Sequence, residues 1–403
     1  MKRTNLYMAL ALAGLCGSAN ALPIEFTGYF RAGVAANTAG GNQVCFQTPG
    51  ADTKWRLGNE CDYVIEPQFN ATVATYEGSD WHVHFMPNVY HAYGKLNGQQ
   101  DGNPDLAARY GQVYAYGTKI AALGNGTVWA GRRFYNRFQL GINDQFLEND
   151  DGDGAGIEDM NVGMGKLSMA VMTNPNGVGN DVNNGLFKFP VRLTGIKTVP
   201  NGELSIYVTG LARFTSKDQT SGVEPTGEPN AGSIGAYQTL NGTFMGGNTL
   251  LGVRYDENRG GPGVKNTRFV IQQTGKMGAT SWDAIAEYRV NDQDDPTKAN
   301  KWFSLGGRTD THLGGPFRLL LDAGTDQVKP DSGATRNLTK FTAALAASAG
   351  PDAGSRPTLR LFVTHAVWNE ATRVATGLDS RLKEAFGDKK AGTSIGVQAE
   401  AWW

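Results

Sequence analysis

After its N-terminal stretch the chain has no long apolar run, and it holds only three cysteines and five histidines in 403 residues. Each shortage removes a class of protein. Without apolar runs of about 20 residues, and with a mean hydropathy of −0.36, a bundle of membrane helices is excluded. Lys and Arg number 37 against 38 Asp and Glu, so no positive surplus exists to bind nucleic acid. The histidines, His82, His84, His91, His312 and His365, form no H-E-x-x-H pair. Neither a Walker loop nor a dinucleotide fingerprint follows a plausible strand, and no cofactor is implied.

What is present begins with Met1-Lys2-Arg3, an apolar segment over 6–15, and Ala19-Asn20-Ala21. This reads as a secretory leader over 1–21 that is cleaved, leaving one domain over 22–403. Loss of Lys2 and Arg3 takes the formal net charge from −1 to −3. Cys16 follows Leu15, which is not the small residue that lipoprotein processing needs. The exported chain then keeps Cys45 and Cys61, expected to form a disulfide. Closing a loop of about 15 residues contributes roughly 3 kcal/mol in the chain-entropy view. Metal binding is the competing reading, but no second cysteine pair or nearby histidine supports it.

The informative segments alternate with period two. In Leu204-Ser205-Ile206-Tyr207-Val208-Thr209-Gly210-Leu211 one face is apolar and the other mostly polar. Similar runs recur at 69–76, 81–93, 267–273, 282–290, 317–323 and 358–368. They are expected to be strands with one polar face. Between them stand turn signals such as Asn125-Gly126, Asn201-Gly202, Asn241-Gly242 and Glu77-Gly78-Ser79-Asp80. Short turns alternate with long loops, as at 94–106 and 215–232. The 54 glycines suit many turns better than long helices. The last segment, 392–403, ends on Trp402-Trp403, aromatic residues of the kind that line a membrane interface. The fold class is therefore all-β: a transmembrane antiparallel barrel with one wall face to lipid and the other to a polar lumen.

Specific blocks sharpen this reading. Gly28-Tyr29-Phe30-Arg31-Ala32-Gly33, Cys45-Phe46-Gln47-Thr48, Arg56-Leu57-Gly58-Asn59-Glu60-Cys61 and Val128-Trp129-Ala130-Gly131-Arg132-Arg133-Phe134-Tyr135-Asn136-Arg137 occur in order. Gly154-Ala155-Gly156, the stretch from Asp159 to Leu167, Arg356-Pro357 and Trp402-Trp403 complete the set. With these blocks the chain resembles the maltoporins, maltodextrin channels of the bacterial outer membrane. The resemblance implies about 18 strands, a homotrimer set in outer-membrane lipid, a disulfide-bearing first loop, and a third loop near 134–156 folded inward as a constriction.

The resemblance also implies a polar track for a carbohydrate solute, at Arg31, Arg56, Glu66, Arg109, Arg137 and Asp144, and an aromatic slide that includes Tyr29 and Trp402. An acidic track position is Gln139 here, and the constriction tyrosine is Phe146. Four arginines against two carboxylates predict an electropositive constriction, unless Glu148, Asp150 and Asp151 compensate. Slide positions fall on Val64 and Leu313, and near Gly247 or Asn248 with Phe244 as the nearest substitute. The 94–105 loop offers no aromatic. The expected solute is a maltose- or maltodextrin-like carbohydrate or a shorter oligosaccharide, the missing aromatics weighing against long maltodextrins. Aromatic rings cover the apolar C–H faces of a sugar, and charged groups exchange hydrogen bonds with its hydroxyls. Trp402 and Trp403 face opposite ways, and the resemblance places Trp402 in the lumen.

Blander readings compete. Arg31 and Arg56 could be wall charges paired with carboxylates, and Tyr29 could sit in an interfacial girdle. Asn149-Asp150-Asp151-Gly152-Asp153-Gly154 has spacing like a calcium loop, but Met160 stands where the closing Glu belongs. It reads as a solvated or constriction segment, and no metal is assigned. Gly392-Thr393-Ser394-Ile395-Gly396 satisfies G-x-S-x-G but lies in the terminal strand, not at a strand-to-helix elbow. The chain is read as no enzyme. A general diffusion channel without sugar selectivity is the alternative function, and a barrel hydrolase using Ser394 ranks third.

Overall fold

Alternation in this chain is inside out. Along Thr358–Trp368 every second residue is buried, including Arg360 and Thr364, while Leu359, Leu361 and Val363 stand 60%, 55% and 44% exposed. A wall with its aliphatics outward and its charges inward suits lipid outside and water inside. The computed structural model describes residues 23–92, 109–173, 186–213, 231–259, 263–375 and 382–403. The expected leader, the whole of the 94–106 loop and most of the 215–232 loop lie outside these residues.

Among the described residues the wall is one 18-stranded antiparallel sheet. The first strand, Ile24–Asn37, pairs with Asp62–Tyr76 on one side and with the last, Ala391–Trp402, on the other. That second pairing runs from Tyr29 opposite Trp402 to Asn37 opposite Ser394 and closes the sheet into a barrel. Closure leaves no strand edge with unpaired N–H and C=O groups in the hydrocarbon.

The longest strands, Asp62–Tyr76 and Asn300–Gly314, have 15 residues each. At about 3.3 Å per residue they extend beyond what a strand tilted by about 45° needs to cross a bilayer. Their ends run in water on both faces, where alternation fades. The sequence marks only the short-turn halves of two of the strands, 69–76 of Asp62–Tyr76 and 317–323 of Phe317–Pro330.

One barrel end has tight turns. Glu77 and Gly78, with φ of 49° and 80°, join Asp62–Tyr76 to Ser79–Ala92 in the two-residue form that matches strand twist. The other end carries the long loops. Residues 134–151 fold into the lumen around a small hairpin of Phe138–Leu140 and Gln145–Glu148. The inward loop is shorter than expected, because Gly152–Asn161 is already a wall strand paired with Gly126–Arg133.

This loop folds inward because it is apolar where the wall is apolar. Leu140, Ile142 and Leu147 pack with Trp55 of the first loop against Tyr237, Leu250, Val270 and Ile285, all buried. Each such side chain contributes about 1.5–3 kcal/mol relative to exposure. Polar anchors fix the register: Asn143 Nδ2 donates to Glu287 at 2.7 Å, and Glu148 accepts from Tyr237 Oη at 2.7 Å.

The first loop, 38–61, is held by the Cys45–Cys61 disulfide and by the buried Lys340, whose Nζ donates to the Leu57 carbonyl at 2.6 Å and pairs with Asp322 at 3.1 Å. Trp55 lies against the wall where Gly306 and Gly324 carry no side chain; a Cβ on Gly324 would collide with the indole.

Gly324→Ala should therefore unseat Trp55 and loosen both inward loops, read as higher and noisier single-channel conductance; an unchanged trace would contradict this seating. Reduction of Cys45–Cys61 should raise protease sensitivity in the first loop while the barrel persists, checked by limited proteolysis and by β-sheet circular dichroism.

Candidate functional site

With loops filling one side of the lumen, open space remains against the first strands. A cavity of about 640 Å³ lies there, lined by Tyr29, Arg31, Arg56, Glu66, Arg137, Asp144 and Phe146 among others. Seven of the nine residues singled out for solute contact thus meet in one place. Trp402 faces the lumen beside it, opposite Tyr29 in register, with the Arg356 guanidinium 3.6 Å from its ring centroid. Trp403 turns to the outer face and packs on Phe26 and Phe30. Arg109 is paired along the backbone with Asn88, and its side chain lies outside the described residues.

The hydroxyl of Tyr29 is a junction. It donates to Glu400 Oε1 at 3.0 Å and accepts from Arg31 Nη1 at 3.1 Å and Arg56 Nη2 at 3.0 Å. Arg31 pairs with Glu60 at 2.5 Å and donates through Nε to Asp62 at 3.1 Å. Arg56 also grips Glu60, and Glu400 takes Arg360 at 2.5 Å and Arg356 at 3.1 Å. Carboxylates on one side raise Arg56 above its ordinary range, against the opposing effect of burial.

On the opposite side of the cavity, Arg137 lies over the Phe134 ring at 3.2 Å and binds Asp151 through Nε at 2.9 Å to each oxygen. Phe146 is the second ring beneath it, at 5.4 Å. Gln139, at the altered acidic position, donates to Asp144 at 2.6 Å. Glu66 accepts from Asn88 at 2.5 Å.

The expected count of four arginines and two carboxylates gains members on both signs: four further carboxylates pair with the track, and Arg356 and Arg360 share Glu400 with Arg56. Glu60, Asp62, Glu400 and Asp151 stand against Arg31, Arg56 and Arg137. Of the three acids named as compensators, Asp151 serves the cavity. Glu148 and Asp150 instead pin the inward loop to the wall through Arg254 and Arg259. The calcium-like segment is likewise committed to arginines, since Asp153 pairs with Arg132 at 2.7 Å. Among the described residues no cluster of three or more metal-ligand side chains converges.

Several cavity residues escaped the sequence reading. Tyr90, Tyr110 and Phe134 line it, and Tyr90 Oη donates to Asp62 at 2.8 Å. Tyr90 had a signal, sharing strand parity with the inward His82 and His84; Tyr110 and Phe134 sit at a strand start and a loop and had none. Phe244, considered as a slide substitute, instead packs edge-on against Trp282, 6.0 Å away, over the outward-facing Gly275. It belongs to the outer rim. Ser394 lies in the terminal strand with its hydroxyl buried, remote from any elbow geometry.

Solved outer barrels share this architecture. The structure of Acinetobacter baumannii OccAB1 is 9% identical over 94% of this chain and 96% of that chain, with a TM-score of 0.51. Pseudomonas aeruginosa OccD3 (OpdP) is 9% identical over 96% and 93%, also with a TM-score of 0.51. Likeness at that identity speaks for the fold alone. The family model for the LamB porins matches residues 24–403. A closed barrel, an in-folded loop and a match over the whole described wall make the chain a member of the LamB porin family, a passive channel of the bacterial outer membrane and not an enzyme.

Proposed function

We propose that the channel conducts small carbohydrates by facilitated diffusion, through the cavity between Tyr29 and Arg137. The observation that carries this reading is the mixture in that one cavity: aromatic rings at Tyr29, Tyr90 and Phe146 beside ion-paired arginines and carboxylates. Rings cover the C–H faces of a pyranose, while paired guanidinium and carboxylate groups donate to and accept from hydroxyls. Charges that already neutralise each other favour an uncharged polyol over an ion. Contacts of this kind are individually weak, as release at the far side requires.

Tyr29, Arg31, Arg56, Glu66, Arg137, Asp144 and Phe146 form the track, with Trp402 at its short-turn end and Arg109 as a further member. Missing slide aromatics at Val64 and Leu313 favour a mono- or disaccharide over a long maltodextrin. Three copies would assemble side by side, as the family resemblance implies.

Arg137→Ala and Trp402→Ala should each weaken the block of ion current by added sugar, by about threefold to tenfold in either variant. No block of the unaltered channel by glucose, maltose or maltotriose would favour a general diffusion pore. Glu400→Gln should leave Arg56, Arg356 and Arg360 without their shared carboxylate and shift the reversal potential in a KCl gradient toward anion selectivity; an unmoved potential would show that the charge is screened from the path.

A further inference from the structure

The inner wall on the short-turn side of the constriction carries rings that the cavity above does not use, and Arg133, which lines that cavity, reaches them. His82 and His84 face the lumen from Ser79–Ala92, beside Tyr114 and Tyr116 of Arg109–Ile120. His82 stacks on Tyr116 with centroids 4.5 Å apart, His84 lies 4.8 Å from Tyr114, and the two tyrosines are 5.5 Å apart. All four are partly open to the lumen. The two histidines, two residues apart on Ser79–Ala92 and therefore on one face, are thus platform members.

Behind these rings is a donor-rich pocket. The Arg133 guanidinium lies 4.8 Å from both the Tyr114 and Trp129 rings, and Glu158 takes Arg133 at 2.6 Å and Arg192 at 2.9 Å. Trp129 and Tyr135 are 3% and 1% exposed, with rings 5.3 Å apart. Yet Trp129 Nε1 and Tyr135 Oη are buried without a hydrogen-bond partner, as are His84 Nε2, Arg133 Nε and Arg192 Nε. These groups are chiefly donors, and the Arg133 guanidinium at the edge of the rings is the one placed to meet hydroxyl oxygens from the lumen. The adjoining stacked rings ask for an apolar face on the same ligand. A sugar ring has both.

The position suits transit. His84 is registered with Asn70, four residues beyond Glu66 on Asp62–Tyr76, so this wall begins roughly 13 Å further toward the short-turn end than the cavity. We propose that His82, His84, Tyr114, Tyr116 and Arg133 form a second pyranose-binding subsite that receives a neutral sugar as it leaves the constriction. This rests on the sugar-channel reading and adds a separate aromatic path on a different part of the wall from Tyr29 and Trp402.

The test is sugar block of the reconstituted channel with glucose or maltose added on the short-turn side, each channel being compared with its own sugar-free current. Tyr114→Leu with Tyr116→Leu keeps the bulk of the wall and removes the rings, and should weaken block by about fivefold. Absence of block in the unaltered channel would sink the sugar reading itself. Block that persists unchanged in the double variant overturns the subsite alone. Crystals of the unaltered channel soaked in maltose give a check that does not depend on variant folding: a pyranose over Tyr114 and Tyr116 supports the subsite, and ordered water there without sugar overturns it.

Discussion

The pairing of the first strand with the last is the contact on which everything else depends. It removes the only free edges of the sheet, which lipid could not have solvated. It also sets Tyr29 against Trp402 and Arg31 against Glu400. Residues some 370 positions apart thereby become neighbours, as in the Tyr29 to Glu400 hydrogen bond. Closure and the candidate solute track are one structural event.

A barrel of this circumference would otherwise be a wide aqueous hole. Two loops reduce it, and each is seated by a different kind of interaction. The third loop inserts Leu140, Ile142 and Leu147 against an apolar patch of the inner wall, and uses Asn143 and Glu148 to hold register. The first loop relies on its disulfide, on Lys340 below it, and on the glycine gap that admits Trp55. Since Trp55 touches the third loop as well, the two seats reinforce each other. The passage left open is displaced to the side of the first strands, which explains why Tyr29, Arg31 and Glu66 line it.

Electrostatics inside the lumen follows the same logic. Arginines brought into a narrow space need counter-charges, and the structure supplies Glu60, Asp62, Glu400 and Asp151 from three different segments. A count of carried-over track residues could not include these partners, because pairing is decided by which strands and loops meet. The same is true of Glu148 and Asp150. Near in sequence to Asp151, they face the loop's seat instead of the passage.

The sequence by itself determined the barrel, because the alternation of Leu359, Leu361 and Val363 with Arg360 and Thr364 is a local property that only a two-sided wall can satisfy. Strand parity, local too, also determined that Trp402 and Trp403 take opposite faces, while the family resemblance chose Trp402 for the lumen. Strand ends escaped it, for they leave the lipid and lose their alternation, and so did the point at which the inward loop rejoins the wall at Gly152. Tertiary structure alone decided the partners: Glu400 with Tyr29, Asp151 with Arg137, and Phe244 with the outer Trp282. Those contacts join segments far apart in the chain, and no periodicity along a strand can specify which distant side chain arrives to meet it.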